Sequence, residues 1–252
     1  IAGVIGAGLF MGSGSVINLA GPSAILSYAL AGLIVLFIMR MLAEMAVVNP
    51  TSGSFAHYAH EAIGPWAGFM IGWLYWFFWV VAIALEATMA AAIVQYWYPD
   101  IPLWLTSLFF TVALTMTNLF SVKAYGEFEY WFSLIKVVSI LAFIALGAII
   151  IFGLYPSFEP VGMNNLLHQG GFFSYFIDKV FLGVTIVIFS FMGTEIVAIA
   201  AAESEEPESA VRKAANSVTW RILIFYIGSI AVVVTLLPWD SSSILVSPYV
   251  AV

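Results

Sequence analysis

Three ionisable side chains stand inside long apolar segments and are the residues best able to do chemistry there. They are Glu86, Lys136 and Glu195. A charge near the centre of a bilayer costs at least about 2.5–3.5 kcal/mol and is rarely kept without a use. Burial favours the neutral form of such a group, whereas nearby carbonyls or opposite charges favour the charged form. The three side chains are therefore predicted to contact a charged solute or to carry a proton.

Each of the three has a structural alternative. Lys136 lies nine residues into the segment that begins at Glu127, which is about 13.5 Å at 1.5 Å per residue and near the midplane. Its stem could instead carry the amine to the membrane surface. Glu195 could contact substrate or proton, or could cap backbone N–H groups freed by a helix break. Glu86 could line a substrate cavity or form a buried pair.

Two breaks in apolar helices are predicted to position these groups. Residues 1–17 have no charge and carry glycines at positions 3, 6, 8, 12 and 14, and each interior glycine weakens a helix by about 1 kcal/mol relative to alanine. Gly193 and Thr194 interrupt a later apolar segment beside Glu195. Unwound turns in lipid must face protein or water, and paired broken helices mark the site of an inverted-repeat transporter. The alternative is that the glycines only allow close helix packing.

The first break would present backbone groups of opposite polarity. The N–H groups of Ala7, Gly8 and Leu9 would begin a half-helix, whose partial positive charge suits a carboxylate. Carbonyls around Val4 and Ile5 would face a cation and suit an ammonium group. A zwitterionic amino acid matches both ends.

The second break adds carbonyl groups from about Phe189 and Met192. Together with Glu86, the two breaks define the predicted substrate-binding residues: Val4, Ile5, Gly6, Ala7, Gly8, Phe189, Met192, Gly193, Glu195 and Glu86. Lys136 and Glu195 are the residues predicted to take part in proton coupling.

Composition places the chain in a membrane class. Of its 252 residues, 63% are hydrophobic and 8% are charged, with a mean hydropathy of +1.07, whereas soluble domains carry roughly 25% charged residues. The net charge of −7 argues against nucleic acid as a partner. With no cysteine, thiolate metal sites and cysteine nucleophiles are excluded. His57, His60 and Glu61 lack further ligands nearby, so no metal and no cofactor are expected.

Apolar length predicts a single transmembrane domain over 1–252, because about 20 apolar residues cross a bilayer. The expected spans number about seven: 1–17, 22–48, 66–95, 102–121, 127–153, 180–202 and 221–237. Five basic residues fall at the even-numbered turns against one on the other side, so the N-terminal side is predicted to be cytoplasmic. The chain opens inside an apolar segment without Met, so we expect a fragment that lacks its true start.

Four motifs carry a resemblance to a known family. They are GVIGAGLF at 3–10, NPTSGSF at 49–55, GEFEYWFSLIKVV at 126–138 and FSFMGTE at 189–195. Over essentially the whole chain they resemble the bacterial amino acid permeases of the amino acid–polyamine–organocation (APC) superfamily, and among these most of all the γ-aminobutyrate (GABA) permeases of Gram-positive bacteria.

The resemblance implies an all-α integral membrane protein with the LeuT/APC-like inverted-repeat transporter fold. In that family twelve helices include two five-helix repeats, whose first helices unwind around the substrate. This chain would supply the first repeat and two helices of the second, and helices eight to twelve would be missing. Lys136 would stand where sodium-coupled relatives hold an ion, and Phe189 would match an aromatic residue that closes over substrate.

The predicted function is secondary active transport of an amino acid, with γ-aminobutyrate as the leading substrate. Transport is expected to occur by proton symport with alternating access in the bacterial cytoplasmic membrane. The expected partners are the amino acid, protons and the lipid bilayer. Another small, aromatic or basic amino acid is the alternative substrate. A membrane enzyme would need catalytic groups clustered near one membrane face, whereas these three lie deep. A seven-helix receptor would start outside, which the basic residues contradict.

Overall fold

The structure is a computed structural model that describes residues 6, 8–51, 53–120, 122–154, 160–167, 170–174, 177–196, 199, 207–241, 244 and 247–252. All regular elements within these residues are helical, as predicted. The α-helices are α1 (Ser13–Ala20), α2 (Ala24–Val48), α3 (Ser54–Ala62), α4 (Pro65–Trp97), α5 (Leu103–Phe120), α6 (Val122–Phe152), α7 (Asn164–Leu167), α8 (Ile177–Ser190), α9 (Pro207–Arg221), α10 (Ser229–Leu236) and α11 (Pro248–Ala251). Wider π-helical turns precede α1 at Gly8–Gly12 and α10 at Ile222–Gly228.

Among the described residues, four helical stretches are long and apolar enough to cross a membrane by length and composition. They are Gly8–Val48, Pro65–Trp97, Tyr130–Phe152 and Asn216–Leu236. The first has 41 residues, about twice the length that a bilayer requires, and it bends at Gly21, where φ is 63°. The chain is therefore a multi-pass membrane protein, and its division into seven spans stays a prediction.

Helix ends differ from the predicted span ends where a helix continues into polar sequence. α6 begins at Val122 rather than near 127, and α9 begins at Pro207, well before the span predicted from 221. Hydropathy marks the residues that suit hydrocarbon, whereas a helix continues for as long as its backbone hydrogen bonds do. The apolar segments read from the sequence are therefore shorter than both helices.

The predicted interruption next to Gly193 is confirmed. α8 ends at Ser190, the chain turns through residues 191–193, and helical geometry resumes at Thr194. Gly193 has φ 96°, a value that residues with a Cβ rarely adopt. The break is therefore set by the glycine itself.

The core lies where α1, α2, α8 and the π-helical turn before α10 pack together. Tyr28, Phe191 and Tyr226 are almost fully buried there, and the ring centroids of Phe191 and Tyr226 are 4.3 Å apart. Gly32 of α2 allows a close approach, because a Cβ on it would lie 2.5 Å from the Ile222 side chain. The core thus holds Phe191, the first residue of the α8 break, between Tyr28 and Tyr226.

Candidate functional site

A small cavity joins the start of the first helix, the α8 break and α4. We call it the glycine cavity, and its lining residues are Gly6, Gly8, Phe78, Trp79, Ala82, Glu86, Phe189, Ser190 and Met192. Its volume of about 30 Å³ leaves room for a water or two, since one water needs about 10–15 Å³ on this measure. Five of the ten predicted substrate-binding residues therefore meet in one place.

Gly6 shapes the entrance to the first helix. Its carbonyl accepts hydrogen bonds from the N–H groups of Leu9 at 3.1 Å and Phe10 at 3.3 Å. The prediction that the Leu9 N–H faces a ligand is therefore wrong, because the first turn of the helix already uses that donor. Val4, Ile5 and Ala7, which were also predicted to bind substrate, lie outside the described residues.

Gly8 lies against the end of α8. A Cβ built on Gly8 would stand 2.7 Å from Ser190 Cα and 3.1 Å from Ser190 Oγ, closer than side chains normally approach. Gly8 is buried and also lines the glycine cavity. Close packing and cavity lining, which the sequence analysis treated as alternatives, thus coincide at this residue.

Glu86 brings a carboxylate to the first helix. A Cβ on Gly6 would lie 2.6 Å from Glu86 Oε1. Any residue larger than glycine at position 6 would therefore collide with this oxygen. Among the described residues Glu86 forms no ion pair, which favours the cavity-lining interpretation over a buried pair. The carboxylate is available to an ammonium group in the glycine cavity.

Several carbonyl groups at the α8 break already accept hydrogen bonds from other groups of the protein. The Met192 N–H donates to the Phe189 carbonyl at 3.3 Å, and the buried Tyr226 hydroxyl donates to the Ser190 carbonyl at 2.8 Å. Thr194 Oγ1 donates to the Phe191 carbonyl at 2.8 Å. The turn is thus held by internal hydrogen bonds, and the Phe189 carbonyl is already engaged.

Glu195 stabilises the break from the other side. One carboxylate oxygen accepts the Gly193 N–H at 2.9 Å, and the other accepts the Tyr75 hydroxyl at 3.2 Å. The capping role, one of the two alternatives for Glu195, is therefore present. Glu195 does not line the glycine cavity.

A second, larger cavity contains Glu195. We call it the methionine cavity, and its volume is about 450 Å³. Its lining residues come from α2, α3, α4 and both sides of the α8 break: Val35, Ile38, Met39, Met41, Leu42, Met45, Phe55, Tyr75, Ile188, Phe191, Met192, Thr194 and Glu195. Met192 belongs to both cavities.

Lys136 lies apart from both cavities. It is half-buried, 14 residues after the start of α6 at Val122 and 16 before its end at Phe152 (136 − 122 and 152 − 136). α6 packs on α10 and on the π-helical turn that precedes it. Lys136 is not among the lining residues of either cavity, and its depth in the membrane stays a prediction.

One face of α4 supplies site residues that the sequence analysis missed. Tyr75, Trp79 and Ala82 precede Glu86 by 11, 7 and 4 residues, so all four project from the same side of the helix. Tyr75 and Trp79 are half-buried, Ala82 is buried and Glu86 is exposed. Counting back from Glu86 in helical steps would have identified this face.

Comparison with known proteins matches the chain over its whole length. The family described as amino acid permease matches residues 1–252. The γ-aminobutyric acid permease of Bacillus subtilis (strain 168) is 68% identical over 252 residues, which is 100% of this chain and 54% of that protein. The γ-aminobutyric acid permease of Escherichia coli (strain K12) is 58% identical over 95% of this chain and 52% of its own length.

A probable GABA permease of Pseudomonas aeruginosa is 54% identical over 95% of this chain and 51% of its own length. The chain spans about half the length of these curated relatives. Because the family match covers every residue and agrees with the helical membrane fold and its broken helix, the chain belongs to the amino acid permease family.

Proposed function

We propose that the protein moves an amino acid across the membrane by secondary active transport and that γ-aminobutyrate is its main substrate. The observation that carries this proposal is the meeting of Gly8, Glu86 and the α8 break around one cavity. The names of the similar permeases supply the substrate. Another small, aromatic or basic amino acid remains the alternative.

The glycine cavity offers complementary ends for a zwitterion, and at about 30 Å³ it must widen before an amino acid fits. Gly8 stands at the first turn of a helix, where the positive end of the helix dipole attracts a carboxylate. Glu86 presents a negative charge beside Gly6 and suits an ammonium group.

Coupling and location complete the proposal. The protein works as a proton symporter with alternating access, and Lys136 and Glu195 carry the response to protons. It resides in the bacterial cytoplasmic membrane with the N-terminal side cytoplasmic, in contact with lipid. It transports its substrate without chemical change and is not an enzyme.

Uptake of labelled γ-aminobutyrate into proteoliposomes containing the full-length protein tests this function. Glu86→Gln keeps the size of the side chain and removes its charge, so we expect at least a tenfold loss of uptake, in line with the loss of a charged hydrogen bond worth about 1.5–3 kcal/mol. Asp100→Asn changes an exposed carboxylate in a turn and serves as the matched control. Uptake that is absent in the wild type, or equal in all three proteins, would contradict the proposal.

A further inference from the structure

The glycine cavity and the methionine cavity share one side chain. Met192 lines both of them and lies in the turn of the α8 break. We propose that Met192 is a movable partition, and that the methionine cavity is an extension of the substrate site for ω-amino acids with longer apolar chains. This inference rests on the proposed function and specifies the substrate class of the same site.

The dimensions of the two cavities support a partition. The glycine cavity measures about 30 Å³ and the methionine cavity about 450 Å³, which falls in the range of small-molecule sites. A longer substrate whose carboxylate stays at Gly8 has no room for its chain in the glycine cavity and cannot keep its amino end at Glu86. Space for that chain lies directly behind Met192.

The walls of the methionine cavity suit an alkyl chain. Val35, Leu42 and Ile188 give it aliphatic surfaces, and the rings of Phe55 and Tyr75 meet edge to face at a centroid distance of 4.8 Å. Burying each further methylene group of a substrate there favours binding. The affinity of a substrate for this cavity therefore rises with its chain length.

Glu195 gives the methionine cavity a charged end. Its two oxygens accept hydrogen bonds from Gly193 and Tyr75, and no ion pair to it occurs among the described residues. A carboxylate in apolar surroundings without a cation attracts an ammonium group and repels a second carboxylate. The amino end of the substrate, rather than its acid end, enters this cavity.

The chemistry of methionine makes this partition movable. Its unbranched side chain has three rotatable bonds and adapts to changes in its surroundings. Met192 is only half-buried, so one change of rotamer is enough to shift it. By contrast, the backbone of the break is held by the Tyr226 and Thr194 hydroxyls, and it stays in place while the side chain moves.

The test measures which chain length the transporter prefers. Met192→Ala in the full-length protein should raise the affinity for 6-aminohexanoate relative to γ-aminobutyrate about tenfold, measured by competition with labelled γ-aminobutyrate in proteoliposomes. Met116→Ala, at an exposed methionine of α5 that lines neither cavity, should leave the preference unchanged.

A second variant tests the direction of binding. Met192→Ala combined with Glu195→Gln should lose the gain for 6-aminohexanoate, because the amide still accepts the Gly193 N–H but no longer carries a charge. Hexanoate, which lacks the amine, should compete no better with the Met192→Ala variant than with the wild type. An unchanged chain-length preference in Met192→Ala, with γ-aminobutyrate uptake intact, would overturn the partition. Absence of γ-aminobutyrate uptake in the wild type would instead overturn the proposed function.

Discussion

The Tyr75 hydroxyl donates a hydrogen bond of 3.2 Å to Glu195, although the two residues are 120 positions apart. The second oxygen of the same carboxylate accepts the Gly193 N–H at 2.9 Å. One side chain therefore joins α4 to the broken helix and satisfies a backbone donor that the break leaves free. Any movement of the break relative to α4 must loosen one of these two hydrogen bonds.

Replacing Glu195 should separate its capping role from its charge. Glu195→Ala leaves the Gly193 N–H without an acceptor, which costs about 1–3 kcal/mol for a buried donor. Glu195→Gln retains an acceptor, and Tyr75→Phe removes only the cross-helix bond, so each should cost about 1 kcal/mol or less. Thermal unfolding of the protein in detergent ranks the three variants. Equal melting temperatures for the Ala and Gln variants would rule out the capping role.

Gly8 and Gly12 form a matched pair for testing the first helix. Gly8→Ala places a Cβ 2.7 Å from Ser190 Cα, so the break must shift and γ-aminobutyrate binding should fall at least tenfold. Gly12→Ala meets nothing within 4 Å and has φ −59°, so binding should persist and stability should stay the same or rise slightly. Competition binding on purified protein measures both. Equal binding by the two variants would show that contact with Ser190 does not shape the site.

The membrane helices and the α8 break could be predicted from the sequence because both depend on local properties. Apolar length fixes where a helix suits hydrocarbon, and Gly193 supplies the backbone freedom that the turn requires. The start of α9 at Pro207 could also be predicted, because proline is favoured in the first turn of a helix. The start of α6 at Val122 could not, since hydropathy says nothing about a helix that continues beyond the hydrocarbon.

Several residues of the candidate site could be predicted from the sequence, but their division between two cavities could not. Charge in an apolar segment identified Glu86 and Glu195, yet their assignment to two different cavities depends on contacts between distant helices. Tyr75 could have been identified from the sequence, because it lies on the same face of a helix as Glu86. The close approach of Gly8 to Ser190 could not be predicted, because nothing in either segment specifies its partner.

Cysteine labelling at the two ends of α4 should test the proposed orientation. Ala62 and Asp100 are both exposed and lie before and after this 33-residue helix. The chain has no cysteine of its own, so Ala62→Cys should react only with reagents that reach the cytoplasm and Asp100→Cys only with reagents outside. Labelling of both positions from one side would contradict a membrane-spanning α4, and reversed labelling would contradict a cytoplasmic N-terminal side.

Lys136 lies at the middle of α6, away from the glycine cavity and the methionine cavity. A charge inside a membrane-spanning helix is costly and is rarely kept without a function. Because Lys136 lines neither cavity, we propose that it acts on coupling rather than on substrate contact. Protonation would favour one arrangement of the helices around it, and loss of the proton would favour the other.

Lys136→Ala should therefore abolish the accumulation of γ-aminobutyrate that a proton gradient drives. Binding and exchange of substrate across the membrane should persist, because the residues of the glycine cavity are unchanged. Proteoliposomes loaded with unlabelled substrate measure exchange, and empty ones with an imposed pH gradient measure accumulation. Lys179→Ala, at a half-buried position where Lys179 Nζ lies 4.0 Å from Asp178, is the control and should accumulate substrate normally. Accumulation by the Lys136→Ala variant, or a requirement for sodium in the wild type, would contradict this role.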